Sequence, residues 1–130
     1  MVSATAYLWV LLGSALGGLA RYWLGAAITG RLGVRFPWGT LAVNVSGAVA
    51  IGFVVARFGE GSLSGLESGV RQLLVFGFLG SYTTVSSFSL QTLTLARRHE
   101  TALAAANVAL SVALCLIGAW GGYLAGSAMV

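Results

Sequence analysis

Two sets of small polar side chains recur at helical spacing inside long apolar stretches of the sequence. Each set places amide or hydroxyl groups on one helix face. Such groups either hold helices together through interhelical hydrogen bonds or replace the water shell of an ion that crosses a membrane. The first set is Thr40, Asn44 and Gly47, and the second is Asn107, Ser111 and Cys115.

The segment GFLGSYTTVSSFS, residues 77–89, combines a Gly-x-x-Gly pair with closely spaced hydroxyl residues. Glycine, serine and threonine weaken a helix, and backbone groups freed at membrane depth must find other partners. The sequence therefore predicts a broken helix near Gly80 to Ser86. Broken helices at the bilayer centre are typical of ion sites, because loose carbonyls can bind a cation and the opened ends carry partial charge. A kink in a purely structural helix is the alternative.

The elements that must position these groups are membrane helices. Apolar residues make up 58% of the 130 residues and charged residues only 8%, a balance far from that of soluble domains. The charges leave four long neutral spans, which predict an all-α membrane protein with residues 1–130 forming a single domain. The predicted spans are Ala4 to Ala20, Trp38 to Ala56, Gln72 to Ala96 and Thr101 to Val130.

The arginines give only a weak indication of orientation. Four would lie on one side of the membrane and two on the other, so copies could insert in one or in both directions. The Gly/Ser-rich connection from Gly59 to Gly69 is the predicted hinge between the two halves. The two groups are Arg31, Arg35, Arg97 and Arg98, and Arg57 and Arg71.

Glycines at a spacing of four predict two faces for close helix packing. Such rows let neighbouring backbones approach each other. The rows are Gly13, Gly17, Arg21 and Gly25, and Gly118, Gly122 and Gly126.

Several functions lack the residues that they need. The single histidine, His99, lies among charges at a helix boundary, so no enzyme activity is expected. The three carboxylates, Glu60, Glu67 and Glu100, fall in predicted loops or at helix ends. A small dual-topology multidrug transporter would need such a group inside the membrane. A nucleic-acid partner is not expected, because the net charge of +4 comes from arginines in short loops.

Three motifs resemble those of the Fluc/CrcB family of small bacterial fluoride channels, in the same order along nearly the whole chain. They are GSALGGLARY (residues 13–22), PWGTLAVNVSG (residues 37–47) and GFLGSYTTVSSFS (residues 77–89). The resemblance implies a multi-pass protein of the bacterial inner membrane that exports fluoride passively and confers fluoride resistance. A non-transporting assembly subunit is the remaining alternative, since it would keep the glycine rows without the polar tracks.

The resemblance also implies an assembly and a cofactor. Members are antiparallel, dual-topology homodimers of four-helix subunits, with two fluoride pathways along the interface. A structural sodium ion at the dimer centre is held by backbone carbonyls of the broken third helix. The matching positions in this chain are Gly80 and Thr83.

The ion pathway is likewise implied by the resemblance. Its pore asparagine matches Asn44, with Thr40 nearby, and Arg21 matches an electropositive element or dimer contact. At that depth Arg21 could equally extend to lipid headgroups. The polar track of the fourth helix matches Asn107, Ser111 and, less closely, Cys115.

One pathway element departs from the family pattern. Two phenylalanines, spaced as in T-T-F-S-T-F-S, present positive ring edges to the anion. This chain keeps the second as Phe88 and has Val85, which has no aromatic edge, in place of the first. Gln91 replaces a glutamate that is frequent in the family.

Overall fold

The computed structural model describes residues 4–62 and 68–129, and every regular element in this part is helical. Four runs are long and apolar enough to cross a membrane: Ala4–Leu32, Trp38–Arg57, Gly69–Arg97 and Thr101–Ser127. The prediction of four membrane helices is confirmed. We number the helices α1 (Ala4–Leu32), α2 (Trp38–Ser62), α3 (Ser68–Tyr82), α4 (Val85–Arg97) and α5 (Thr101–Ser127), so α3 and α4 form the third span.

Two helices extend beyond their predicted ends. The predicted first span stops at Ala20, but α1 continues through Arg21 to Leu32, where Gly33 turns the chain with a φ of 87°. The second helix, α2, continues past Ala56 to Ser62. It therefore takes up the first part of the predicted Gly59 to Gly69 hinge, and residues 63–67 lie outside the described residues.

The third span is interrupted, as the sequence predicts. α3 begins as an α-helix over Ser68–Arg71, widens into π-helical turns over Gln72–Leu79 and ends with one α-turn over Gly80–Tyr82. Thr83 and Thr84 are extended, with ψ angles of 157° and 113°. α4 then starts at Val85, so the break occupies two residues.

Glycine faces bring the helices together in two pairs. A Cβ on Gly17 of α1 would collide with the Phe78 carbonyl and the Ser81 hydroxyl of α3. A Cβ on Gly122 of α5 would likewise collide with the backbone of Val49 in α2. The row on α5 therefore packs as predicted, and so do Gly13 and Gly17 of the row on α1. A Cβ on Gly25 would meet nothing within 4 Å, and close packing there comes from Gly39 of α2, which lies against the Gly25 carbonyl oxygen.

Candidate functional site

The end of α3 is fastened to both neighbouring helices just before the break. The Ser81 hydroxyl donates to the Ser14 carbonyl of α1 at 2.9 Å. The Tyr82 hydroxyl lies 2.8 Å from the Ser46 hydroxyl of α2. These two bonds fix the position at which the helix opens.

Asn44 bridges the break itself. Its side-chain oxygen accepts the Thr84 N–H at 2.8 Å, and its Nδ2 donates to the Thr84 carbonyl at 3.0 Å. The Asn44 amide thus pairs with the N–H and the carbonyl of Thr84, and Thr84 is only 7% exposed. Because an amide nitrogen carries two hydrogens, one donor of Asn44 is left over.

Backbone carbonyls at the end of α3 are released by the same arrangement. In an unbroken helix the Thr84 N–H would donate to the Gly80 carbonyl, whereas here it donates to Asn44. Gly80 and Thr83 line a cavity of about 410 Å³, which we call the break cavity and which Asn44 and Cys115 also line. Hard cations such as sodium bind carbonyl oxygens as ligands, so the backbone carbonyls of Gly80 and Thr83 fit the predicted sodium site. Two carbonyls fall short of the roughly six oxygens that hard cations take, so further ligands must come from elsewhere.

The opposite side of the break is the amino-terminal end of α4. Thr84 caps this helix by accepting the Ser87 N–H on its hydroxyl at 3.1 Å. The first N–H groups of a helix lack internal acceptors and carry partial positive charge. Val85, the first residue of α4, is 76% exposed and lines the break cavity. The break therefore offers oxygens on one side and N–H groups on the other.

A second cavity of about 410 Å³, the polar cavity, lies between α1, α2 and α4. Its lining includes no carboxylate from the described residues, and its polar members are Arg21, Tyr22, Thr29, Thr40, Thr84, Ser87 and Gln91. The Gln91 side-chain oxygen is buried and has no hydrogen-bond partner in the described part of the chain. Thr84 lines both cavities, so the two cavities adjoin each other at the break.

Of the predicted residues on α4 and α5, Val85 and Cys115 line the break cavity, whereas Phe88, Asn107 and Ser111 line neither cavity in the single chain. Asn107 is 1% exposed, and its Nδ2 donates to the Thr92 hydroxyl at 2.8 Å. Thr92 in turn donates to the Phe88 carbonyl. Ser111 is buried one helical turn further along α5. The structure thus brings Arg21, Thr40, Asn44 and Val85 to the two cavities, and places Asn107 at the contact between α4 and α5.

A polar stripe on α4 was not part of the predicted site. Thr84, Ser87 and Gln91 follow each other at i, i+3 and i+7 and line the polar cavity together. The spacing is visible in the sequence, but serine and threonine are so frequent between residues 81 and 94 that no single face stands out. The face is selected by the polar cavity, which these residues line together with residues of α1 and α2.

Comparisons with known proteins identify the family. Residues 8–123 match the family described as CrcB-like protein, Camphor Resistance (CrcB). The chain is 49% identical over 118 residues to a fluoride-specific ion channel FluC of Rhodospirillum rubrum, covering 91% of this chain and 92% of that protein. It is 45% identical over 124 residues to the FluC of Methylocella silvestris, covering 91% and 90%. A third relative, FluC 2 of Rhodopseudomonas palustris, is 50% identical over 118 residues, again covering 91% and 90%. The chain therefore belongs to the CrcB family.

Proposed function

We propose that this multi-pass membrane protein is a fluoride-specific ion channel that lets fluoride leave the cell passively. The observation that carries the proposal is that relatives about half identical over nine-tenths of the chain bear that name. The bacterial inner membrane is the proposed location, and fluoride resistance is the proposed benefit. A channel needs no catalytic group, so we assign no enzyme activity.

The polar cavity and the amino-terminal end of α4 support passage of an anion. The polar cavity contains the guanidinium of Arg21 together with neutral hydroxyl and amide groups. The positive end of α4 adds N–H donors beside Asn44. The neutral hydroxyl, amide and N–H donors can replace the water around a small anion without holding it as tightly as a full charge would.

We further propose an antiparallel homodimer with a structural sodium ion at its centre. One chain supplies the carbonyls of Gly80 and Thr83, and a second copy related by a twofold axis would supply the same pair from the other side. The resulting four oxygens approach the number that a hard cation requires. The apolar surface of the helices faces lipid and the partner copy.

Fluoride efflux from liposomes containing the purified protein tests the function. We expect fluoride to leave down its gradient while chloride in a matched preparation stays inside. Equal leakage of both anions, or movement of neither, would refute a fluoride channel. In that case a multidrug transporter or an assembly subunit would have to be considered again.

Exchange of the cation tests the sodium site separately. We expect flux and thermal stability to fall when sodium is replaced by a larger cation. Because the ligands are main-chain oxygens, Thr83→Ser should keep the response to sodium. If neither flux nor stability depends on sodium, the cation site is wrong even where fluoride transport is found.

A further inference from the structure

A groove with two free arginines lies at the end of α4 that is distant from the break. It has a volume of about 350 Å³ and is lined by Thr29, Arg35, Gln91, Thr94 and Arg98 together with apolar residues. We call it the basic groove. Both arginines are exposed, and in the described part of the chain neither forms an ion pair or a side-chain hydrogen bond. Two arginines and no carboxylate of the described residues therefore line one small space.

Short, ordered turns hold both arginines in place. Arg35 precedes Phe36, which is 8% exposed and packs against Trp38 with a centroid distance of 4.6 Å. Arg98 caps α4, and its N–H bonds to the Thr94 carbonyl at 3.1 Å. Because the backbone is anchored near both positions, both arginine side chains start from fixed points beside the groove.

The basic groove opens toward the polar cavity. Thr29 and Gln91 line both spaces. Along α4 the residues Ser87, Gln91, Thr94 and Arg98 follow at i, i+4, i+7 and i+11 and so occupy one face of the helix. A polar stripe therefore runs from the break to Arg98.

We propose that the basic groove is the recruitment site for the permeating anion, at the mouth of the pathway. This inference rests on the proposed channel function and adds a site to it. Arginines that line a cleft raise the local concentration of anions and can accelerate their capture. The rest of the stripe, which is uncharged, then passes the anion toward Arg21 and the break. In the antiparallel dimer each membrane face would carry one such groove.

The chain provides matched controls for this proposal. Arg31 and Arg97 lie at the same end of the molecule and are exposed, but they do not line the groove. The variants Arg35→Gln/Arg98→Gln and Arg31→Gln/Arg97→Gln remove the same charge from the same side. A third variant, Arg35→Lys/Arg98→Lys, keeps the charge and changes the side-chain shape.

Fluoride efflux is measured at limiting fluoride in neutral-lipid liposomes, with sodium gluconate as background salt. At about 0.1 M ionic strength charges act over about 10 Å. There we expect the fluoride flux of the groove glutamine variant, Arg35→Gln/Arg98→Gln, to be roughly three- to tenfold lower than that of wild type. The control glutamine variant should stay within about a factor of two, and the lysine variant should resemble wild type. At about 1 M salt the charges act over only about 3 Å, and the difference should nearly vanish.

Three results would overturn the proposal. Equal losses in both glutamine variants would mean that only the overall surface potential matters. A loss in the lysine variant as large as in the groove glutamine variant would assign the arginines to packing. A loss that appears only in liposomes with anionic lipid would assign the groove to phosphate headgroups.

A binding measurement separates failure of this site from failure of the channel function. Fluorine NMR of fluoride added to the protein in neutral detergent should show line broadening that the groove glutamine variant reduces and the control variant keeps. If wild type moves no fluoride in liposomes, the channel function fails. If its fluoride broadening is the same in all variants, the recruitment site fails.

Discussion

At the scale of single residues, Asn44 has to satisfy two demands. Its amide oxygen and nitrogen pair with the N–H and carbonyl of Thr84, and this pairing replaces the helical bond lost at the break. One N–H remains that can face an anion. An asparagine meets both demands because a single amide group is donor and acceptor at once.

Asn44→Asp should reduce fluoride flux at least roughly tenfold, a factor that an added barrier of about 1.4 kcal/mol produces. The carboxylate keeps the acceptor for the Thr84 N–H, loses the donor to the Thr84 carbonyl and places negative charge in the path of an anion. Liposome efflux gives the flux, and size-exclusion chromatography checks that the assembly persists. Ser46→Ala is the control, since it removes a neighbouring hydrogen bond to Tyr82 without adding charge. Normal conduction by the aspartate variant would show that the pathway is misplaced.

Val85→Phe should maintain or raise the flux. The side chain of Val85 is 76% exposed and borders a cavity of about 410 Å³, so a ring can enter without displacing backbone. A ring edge carries partial positive charge that can face an anion. Val85→Leu, similar in apolar character and without a ring, separates this electrostatic effect from size. A block of efflux by phenylalanine would mean that the pathway is built around the smaller residue.

At the scale of elements, α1 and α3 pack at backbone distance. Gly17→Ala should lower the stability by about 1–3 kcal/mol, because its Cβ would meet the Phe78 carbonyl and the Ser81 hydroxyl. Gly30→Ala in the same helix meets nothing within 4 Å and should be neutral or slightly stabilising, by up to about 1 kcal/mol. Thermal unfolding in detergent compares the two. Equal stability of both variants would contradict the close packing.

The turn between α4 and α5 contains a strained residue. His99 has a φ of 60°, while the N–H groups of His99 and Glu100 bond back to Ala96 and Leu95. This is the geometry of a helix end that favours glycine. The left-handed conformation costs a residue with a Cβ about 1–2 kcal/mol, and part of the gain from glycine is lost to its greater freedom when unfolded.

His99→Gly should therefore stabilise the protein by about 0.5–1 kcal/mol. His99→Ala keeps the Cβ and should give no such gain. Unfolding of both variants in detergent measures the difference. A glycine variant no more stable than the alanine variant would show that the turn holds no strain that glycine relieves.

The sequence predicts the elements better than their details. The location of the break follows from the glycine and hydroxyl residues between Gly80 and Ser86, because each of them weakens a helix. The π-helical turns over Gln72–Leu79 have no comparable signal, since QLLVFGFL reads as an ordinary apolar helix. Asn44 could be chosen from its polarity and depth, but its pairing with Thr84 depends on how α2 packs against the broken span. That contact joins residues 40 positions apart, which helical spacing cannot predict.

At the scale of the whole molecule, the arginines at opposite ends do not favour one orientation strongly. We expect tags at the two termini to be found on both membrane faces in comparable amounts when protease protection is measured in intact cells. The proposed antiparallel dimer requires both orientations, because each sodium ligand set needs two opposed copies. If every copy of the tagged protein inserts in the same orientation, this assembly is excluded. Adding two lysines beside Arg97 supplies a control with a forced orientation.

The π-helical turns of α3 also determine where the third span can lose a residue. A π-helical stretch holds more residues per turn than an α-helix, so Gln72–Leu79 stores surplus chain. A descendant lacking one residue there could tighten the stretch and keep Arg71 and Gly80 near their present neighbours. Loss of one residue from the middle of α4 would instead rotate the stripe that ends at Arg98 by roughly 100° away from its groove. We therefore expect deletion of one residue to be tolerated in α3 and to disrupt the polar stripe when it falls in α4.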